Sequence, residues 1–206
     1  MVAAFKERLK EIDPVFVRFD TLQTLQVNLG NLCNLAFRHC HVGASPQGNK
    51  IMGREVMAII VGLLSRQPGI TLDITGGCPE MNPHFRFLVE ATCGISPRRM
   101  VRSNLAIMTE PGMDWLPPFF KEQGLVVVAS LPCYMEENVD RQRGGGVYAR
   151  SIAALRALNA LGYGDALELD LVYNPGGDFV AGSQRDLEAA YKKELLDRHG
   201  IRSSFL

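Results

Sequence analysis

Leu25, Val27 and Leu29 alternate with polar neighbours, the period of a strand with one covered face, and Ile70, Leu72 and Ile74 repeat the pattern further on. Leu125 to Leu131 is apolar almost throughout, which suits a parallel strand covered on both faces. A weakly marked strand is expected over about Arg99 to Arg102, and another over Leu167 to Tyr173. Helical spacing fills the intervals. Phe5, Leu9 and Ile12 share a face within Ala4 to Ile12, which Asp13-Pro14 ends. Val56, Ile59, Ile60, Leu63 and Leu64 do so within about Arg54 to Arg66, stopped by Pro68-Gly69. Asn82-Pro83 reads as a cap and first position for a helix ending near Gly94, and another helix is expected around Trp115 to Gln123. Glu136 to Gly146 reads as a glycine-rich, charged connection. Beyond it, Ile152, Leu155, Leu158 and Leu161 mark a helix that stops at Gly162. Ser183 and Asp186 resemble a capping box for a last helix running to Arg198 with Gly200 at its end, and Ile201 to Leu206 looks like a sixth strand cut short.

Strand-then-helix units in succession require parallel strands joined by right-handed crossovers, hence a doubly wound sheet or a partial β/α barrel. Residues 1–206 read as one domain, with 1–20 a helical lead-in and 21–206 the β/α units. In both architectures ligands sit at the carboxyl ends of the strands. The strands run, in chain order, into a loop with Cys33 and Cys40, the turn Gly76-Gly77-Cys78-Pro79-Glu80, Ser103-Asn104, Ser130 to Cys133, and Asn174-Pro175-Gly176-Gly177.

Composition narrows the partners. Lys plus Arg number 22 and Asp plus Glu 22, so no net field draws in nucleic acid or an anionic membrane. The first residues, with Lys6, Glu7, Arg8 and Lys10 among isolated apolar ones, lack the layout of a secretory signal. No apolar run approaches the ~20 residues of a membrane span, and a cytoplasmic setting is expected. Five cysteines, spread from Cys33 to Cys133, suit reduced thiols or metal ligands better than a disulfide framework. Cys93 reads as a small core residue. Trp115, Phe119 and Phe120 read as core, His41 and His84 as ordinary hydrogen-bonding residues near turns, and Arg141 and Arg143 as part of a solvated loop.

The chemistry lies in Cys33-Asn34-Leu35-Ala36-Phe37-Arg38-His39-Cys40, where two thiols sit on a loop entered from a strand. Three thiolates at cysteine-x3-cysteine-x2-cysteine spacing can wrap a cubic iron–sulfur cluster and leave one iron open. The middle position here is Phe37. Leu25 to His41, followed by Asp73-Ile-Thr-Gly-Gly-Cys-Pro-Glu-Met-Asn-Pro83, resembles the radical S-adenosylmethionine (SAM) family. Ala129 to Arg143 and Leu171-Val-Tyr-Asn-Pro175 resemble its arsenosugar-biosynthesis branch, and the resemblance covers nearly the whole chain.

That resemblance implies a partial (β/α)6 half-barrel, here with its sixth strand truncated, binding a [4Fe-4S] cluster and SAM. Cys33 and Cys40 match the first and last cluster cysteines, and His39 the aromatic position near adenine. Gly76, Gly77 and Pro79 match the glycine motif that accepts the methionine amino group. Glu80 supports that turn, while Asn104, Ser130 and Asn174 fall where the family contacts ribose or carboxylate. It also implies reductive cleavage of SAM, fed by an electron donor such as a flavodoxin or ferredoxin, with the 5′-deoxyadenosyl group passing to a small-molecule substrate, a trivalent methylated arsenical. For Cys133 two readings stand together, a contact for that thiophilic substrate and a buried thiol after Pro132.

Phe37 cannot bind iron, and the branch's cysteine-containing C-terminal region has no counterpart here. Cys78, where the branch has alanine, offers a possible third ligand. Two functions are compatible with these residues: a radical SAM enzyme, or a non-catalytic SAM-binding scaffold without a stable cluster. A plain dinucleotide binder is disfavoured, because no Gly-x-Gly-x-x-Gly comes after the first strand.

Overall fold

The structure, a computed structural model, describes residues 2–17, 21–37, 40–174 and 182–205. Its strands are β1 (Thr24–Asn28), β2 (Thr71–Thr75), β3 (Arg99–Ser103), β4 (Val126–Ser130) and β5 (Leu169–Val172), all parallel, and they lie side by side in chain order. That order decides between the two architectures. A doubly wound sheet reverses direction at a switch point, whereas strands that never reverse curl towards a barrel. The fold is a partial β/α barrel.

Helix α1 (Val2–Ile12) precedes the sheet, and after it come α2 (Arg54–Arg66), α3 (Phe85–Ala91), α4 (Leu116–Glu122), α5 (Glu136–Arg143), α6 (Val147–Ala160) and α7 (Gln184–His199). Val27, Leu72, Ile74, Val101, Val127, Ala129, Leu169 and Leu171 are buried on one sheet face with Met57, Leu64, Leu88, Phe120, Leu155 and Leu158 of the helices. Alternate positions put Gln26, Asp73, Arg102 and Asp170 on the other face. There Asp73, itself buried, accepts from Arg102 Nε at 2.9 Å and from Gln26 Nε2 at 2.7 Å.

Three expectations shift. Asn82 does not begin α3. It closes a short 3₁₀ turn, Pro79–Met81, and donates through Nδ2 to Leu29 O and Met52 O at 3.0 and 3.1 Å, so the helix starts later, at Phe85. Glu136 to Arg143 is helix α5, not a loop, held by buried Val139 and by the Asp140 carboxylate, which accepts from Gly146 N and Tyr148 N at 2.7 and 2.8 Å. Cys93 is exposed instead of lying in the core. The capping box at Ser183 forms, with Asp186 N donating to Ser183 Oγ at 3.2 Å. Of the expected sixth strand, the described residues carry a single parallel bridge, Asp170 to Phe205. No helix among the described residues is long and apolar enough to cross a membrane.

Candidate functional site

The cysteine loop leaves the end of β1. It folds on itself through Asn31 N to Lys50 O (2.9 Å), Ser45 N to Asn31 O (3.1 Å) and Cys33 N to Ser45 O (3.0 Å). The turn after β2 is laid against it, with Gly77 N donating to Gly30 O and Cys78 N to Leu32 O, both at 2.8 Å. A Cβ on Gly77 would come within 2.6 Å of Leu32 O, and Gly76 holds φ +143° beside Gly30 O. The void between the two segments is only about 10 Å³, too tight for more than a single water. The chain itself therefore demands both glycines, whatever ligand lies beyond them.

Cys33 is buried, and its sulfur accepts from Leu35 N at 3.5 Å and from Asn104 Nδ2 at 3.6 Å. Burial raises its pKa above the usual thiol range despite those two hydrogen bonds. Asn104 is set by a strained turn at the end of β3. Ala106 N bonds back to Asn104 O at 2.8 Å, and Leu105 between them has φ +65°, ψ −49°. Asn104 Oδ1 accepts from Ile107 N at 3.0 Å, leaving its amide group to reach Cys33 and Asn34 Oδ1, the latter at 2.7 Å. Asn34 Nδ2 in turn donates to Glu110 Oε1 at 3.0 Å, to which Arg150 Nη1 also donates at 2.9 Å.

Cys40 accepts from Ala44 N at 3.3 Å. Cys78, buried, donates its thiol proton to Glu80 Oε2 at 3.0 Å. Glu80 Oε1 is buried with no hydrogen-bond partner among the described residues. Burial raises the Glu80 pKa, and it raises that of Cys78 further, helped by the neighbouring carboxylate.

At the end of β4, Arg143 reaches back from α5 and donates to Ser130 O and Ser130 Oγ, each at 2.6 Å. Its guanidinium carbon stands 5.0 Å from the centre of the Phe37 ring. Among the described residues it has no ion-pair partner. Burial lowers its pKa to about 10, so it stays charged at neutral pH. Pro132, Cys133, Asn138, Arg141, Gln142, Tyr173 and Asn174 line a neighbouring cavity of about 150 Å³, where Cys133 Sγ accepts from Asn138 Nδ2 and Met135 N at 3.4 Å.

Cys33, Cys40, Gly76, Gly77, Pro79, Glu80, Asn104, Ser130, Cys133 and Asn174, the residues singled out by sequence, thus share one rim. His39 lies outside the described residues. Arg143 belongs to the rim too, not to a solvated loop. Its signal was present in Glu136-Glu137 ahead of Arg141 and Arg143, the charge order of a short helix.

No protein-family model and no curated protein matches the sequence. Solved structures do. SuiB of Streptococcus suis bound to S-adenosylmethionine superposes with a TM-score of 0.62 at 12% identity, over 89% of this chain and 44% of that one. The fold is that of radical SAM enzymes. A structure of anSMEcpe with bound S-adenosylmethionine and a peptide gives 0.59 at 16% identity, over 74% of this chain and 43% of the other. Methylornithine synthase gives 0.53 at 16% identity, over 73% and 44%. The chain spans less than half the length of these three proteins.

The donor set does not fit the cluster of that fold. Phe37, where the resemblance puts the second cluster cysteine, lies under Arg143, and Cys78 is turned to Glu80. Among the described residues, no three His, Cys, Asp or Glu side chains converge as metal ligands. An amino-acid carboxylate fits better, since Arg143 is a half-buried cation on Ser130 with no carboxylate partner among the described residues.

Proposed function

We propose that the chain binds SAM at the carboxyl rim of its sheet, as a radical SAM scaffold whose three-thiolate cradle is incomplete. One observation carries this reading: the charged, half-buried Arg143 held on Ser130 at a strand end, over the Phe37 ring of the cysteine loop, without a counter-ion among the described residues. Partial burial leaves a cation with a desolvation cost that a bound anion relieves. The α-carboxylate of SAM is a planar anion that a guanidinium pairs with well. Asn174 then supplies an amide for the ribose and the glycine turn supplies backbone for the amino group, while Asn104, its amide already bonded to Cys33, Asn34 and Ile107, holds the cysteine loop instead.

Calorimetric titration of the purified chain with SAM tests this. The parent is expected to bind and Arg143→Met to bind at least about tenfold more weakly, since a charge-assisted hydrogen bond contributes about 1.5–3 kcal/mol. No heat with the parent, or equal affinity in the variant, overturns the reading.

A second reading, an enzyme that transfers a 5′-deoxyadenosyl group to a methylated arsenical, is favoured by the thiol of Cys133 in the cavity beside the rim. It requires Cys33 and Cys40 to hold a cluster with help from Cys78. Anaerobic iron and sulfide reconstitution separates the two. A brown parent absorbing near ~400 nm and bleached by Cys78→Ala supports the enzyme, whereas a colourless parent that turns brown as Phe37→Cys supports the scaffold.

A further inference from the structure

We propose that Phe37, standing where the resembling family has its second cluster cysteine, is a positioning residue whose ring seats the Arg143 guanidinium and thereby the carboxylate end of bound SAM. The inference rests on the reading that SAM binds at Arg143 and Ser130.

Phe37 is half-buried against the core, so its ring is held from below by packing. The Arg143 guanidinium carbon lies 5.0 Å from the ring centroid, inside the range in which a cation is attracted by the ring's quadrupole. Both terminal nitrogens of Arg143 donate to Ser130. Those bonds fix the guanidinium along one edge and leave rotation about that edge open, and the ring removes this freedom. Arg143 is the last residue of α5, and the bond that closes the helix, Gly144 N to Asp140 O at 2.8 Å, fixes its backbone but not the plane of a guanidinium at the end of a long side chain. A cysteine at 37 would offer neither a face nor the volume. Phe37 is therefore a working part of a site that binds SAM through its amino-acid end instead of through iron.

The magnitudes set the size of the effect. The two hydrogen bonds to Ser130 hold the cation in place. The cation–π contact, between two half-buried groups, is the weaker of the two interactions. The ring therefore tunes affinity and does not create it.

Calorimetry on the full chain compares SAM with its decarboxylated analogue for the parent, Phe37→Leu and Phe37→Tyr. Phe37→Leu keeps an apolar side chain and loses the π face, and it is expected to weaken SAM binding about 3–10-fold. The decarboxylated analogue should change less than about twofold, having no carboxylate for Arg143 to meet. Phe37→Tyr keeps the face and should restore parental affinity. Equal loss for both ligands in Phe37→Leu, or no loss for either, overturns the proposal. Hydrogen exchange at the Arg143 Nε–H, measured by NMR without ligand, gives an independent readout, slow in the parent and in Phe37→Tyr and fast in Phe37→Leu. A parent that binds no SAM while this pattern holds overturns the SAM reading and upholds the positioning of Arg143. Exchange that ignores residue 37 overturns the positioning itself.

Discussion

Leu105 sets two opposed terms against each other in one residue. Its backbone, at φ +65°, is the sole non-glycine with positive φ among the described residues, and its side chain is wholly buried. Such a conformation costs about 1–3 kcal/mol, while losing a buried leucine side chain costs about 2–5 kcal/mol. Packing therefore keeps leucine there despite the strain. Replacement by alanine loses the packing and retains the strain, whereas glycine loses slightly more packing and relaxes. Urea denaturation should find Leu105→Gly no less stable than Leu105→Ala, against the usual deficit of about 1 kcal/mol for glycine. A glycine variant that falls a full ~1 kcal/mol below the alanine one would show that the turn is unstrained. The strain orients Asn104 toward Cys33, and no local pattern in Ser103-Asn104-Leu105 announces it, since a leucine with positive φ is a product of the surrounding packing.

Helix α5 shows how an element can hide from periodicity. It contains a single buried residue, Val139, so it carries no apolar stripe, and only its charge order and the later capping by Asp140 define it. Strands β2 and β4 and helix α6 were legible because burial imposes a repeating pattern on their side chains, whereas α2 buries Met57 and Leu64 and exposes Val56 and Ile59 of its expected face. Asp140→Ala removes two acceptors from the amides that start α6 and should cost about 1–2 kcal/mol in chemical denaturation. An unchanged midpoint would show the capping to be idle. Strand β5 carries a pH dependence of its own. Burial, with Glu168 beside it, raises the Asp170 pKa from 3.8 to about 6, while Arg98 pairs with Glu168 and lowers that residue's pKa. The folded state thus binds the Asp170 proton more tightly than the unfolded chain does. Its contribution to stability is present below about pH 4 and is lost as pH rises to about 6. Asp170→Asn should flatten the melting temperature across that window and leave the variant more stable than the parent at pH 7. A slope identical to the parent's would assign the effect elsewhere.

Across the whole molecule the two ends of the sheet divide the labour. The carboxyl ends gather thiols, amides and a half-buried cation, whereas the amino ends secure the helices to the strands. Arg99, at the start of β3, is buried and donates to Val89 O at 2.8 Å and to Gln123 O, the final carbonyls of α3 and α4. A cation at two helix C-termini satisfies orphan acceptors and opposes both dipoles. Arg99→Met leaves the Gln123 carbonyl unpaired and the Val89 carbonyl with only Thr92 Oγ1, and should cost about 1–3 kcal/mol of unfolding free energy. A variant with parental stability would refute that role. Strand order, and with it the choice of a barrel over a doubly wound sheet, could not be read from strand and helix positions, because both architectures use the same alternation. The position of the rim could be read, because both place it at the same strand ends.

The seam between the cysteine loop and the paired-glycine turn makes these two segments a single mechanical piece. The amides of Gly77 and Cys78 end on carbonyls of the other segment, so the loop cannot lift away without freeing them. Their deuterium uptake is thus a built-in gauge of loop opening, readable with no cofactor, substrate or label attached.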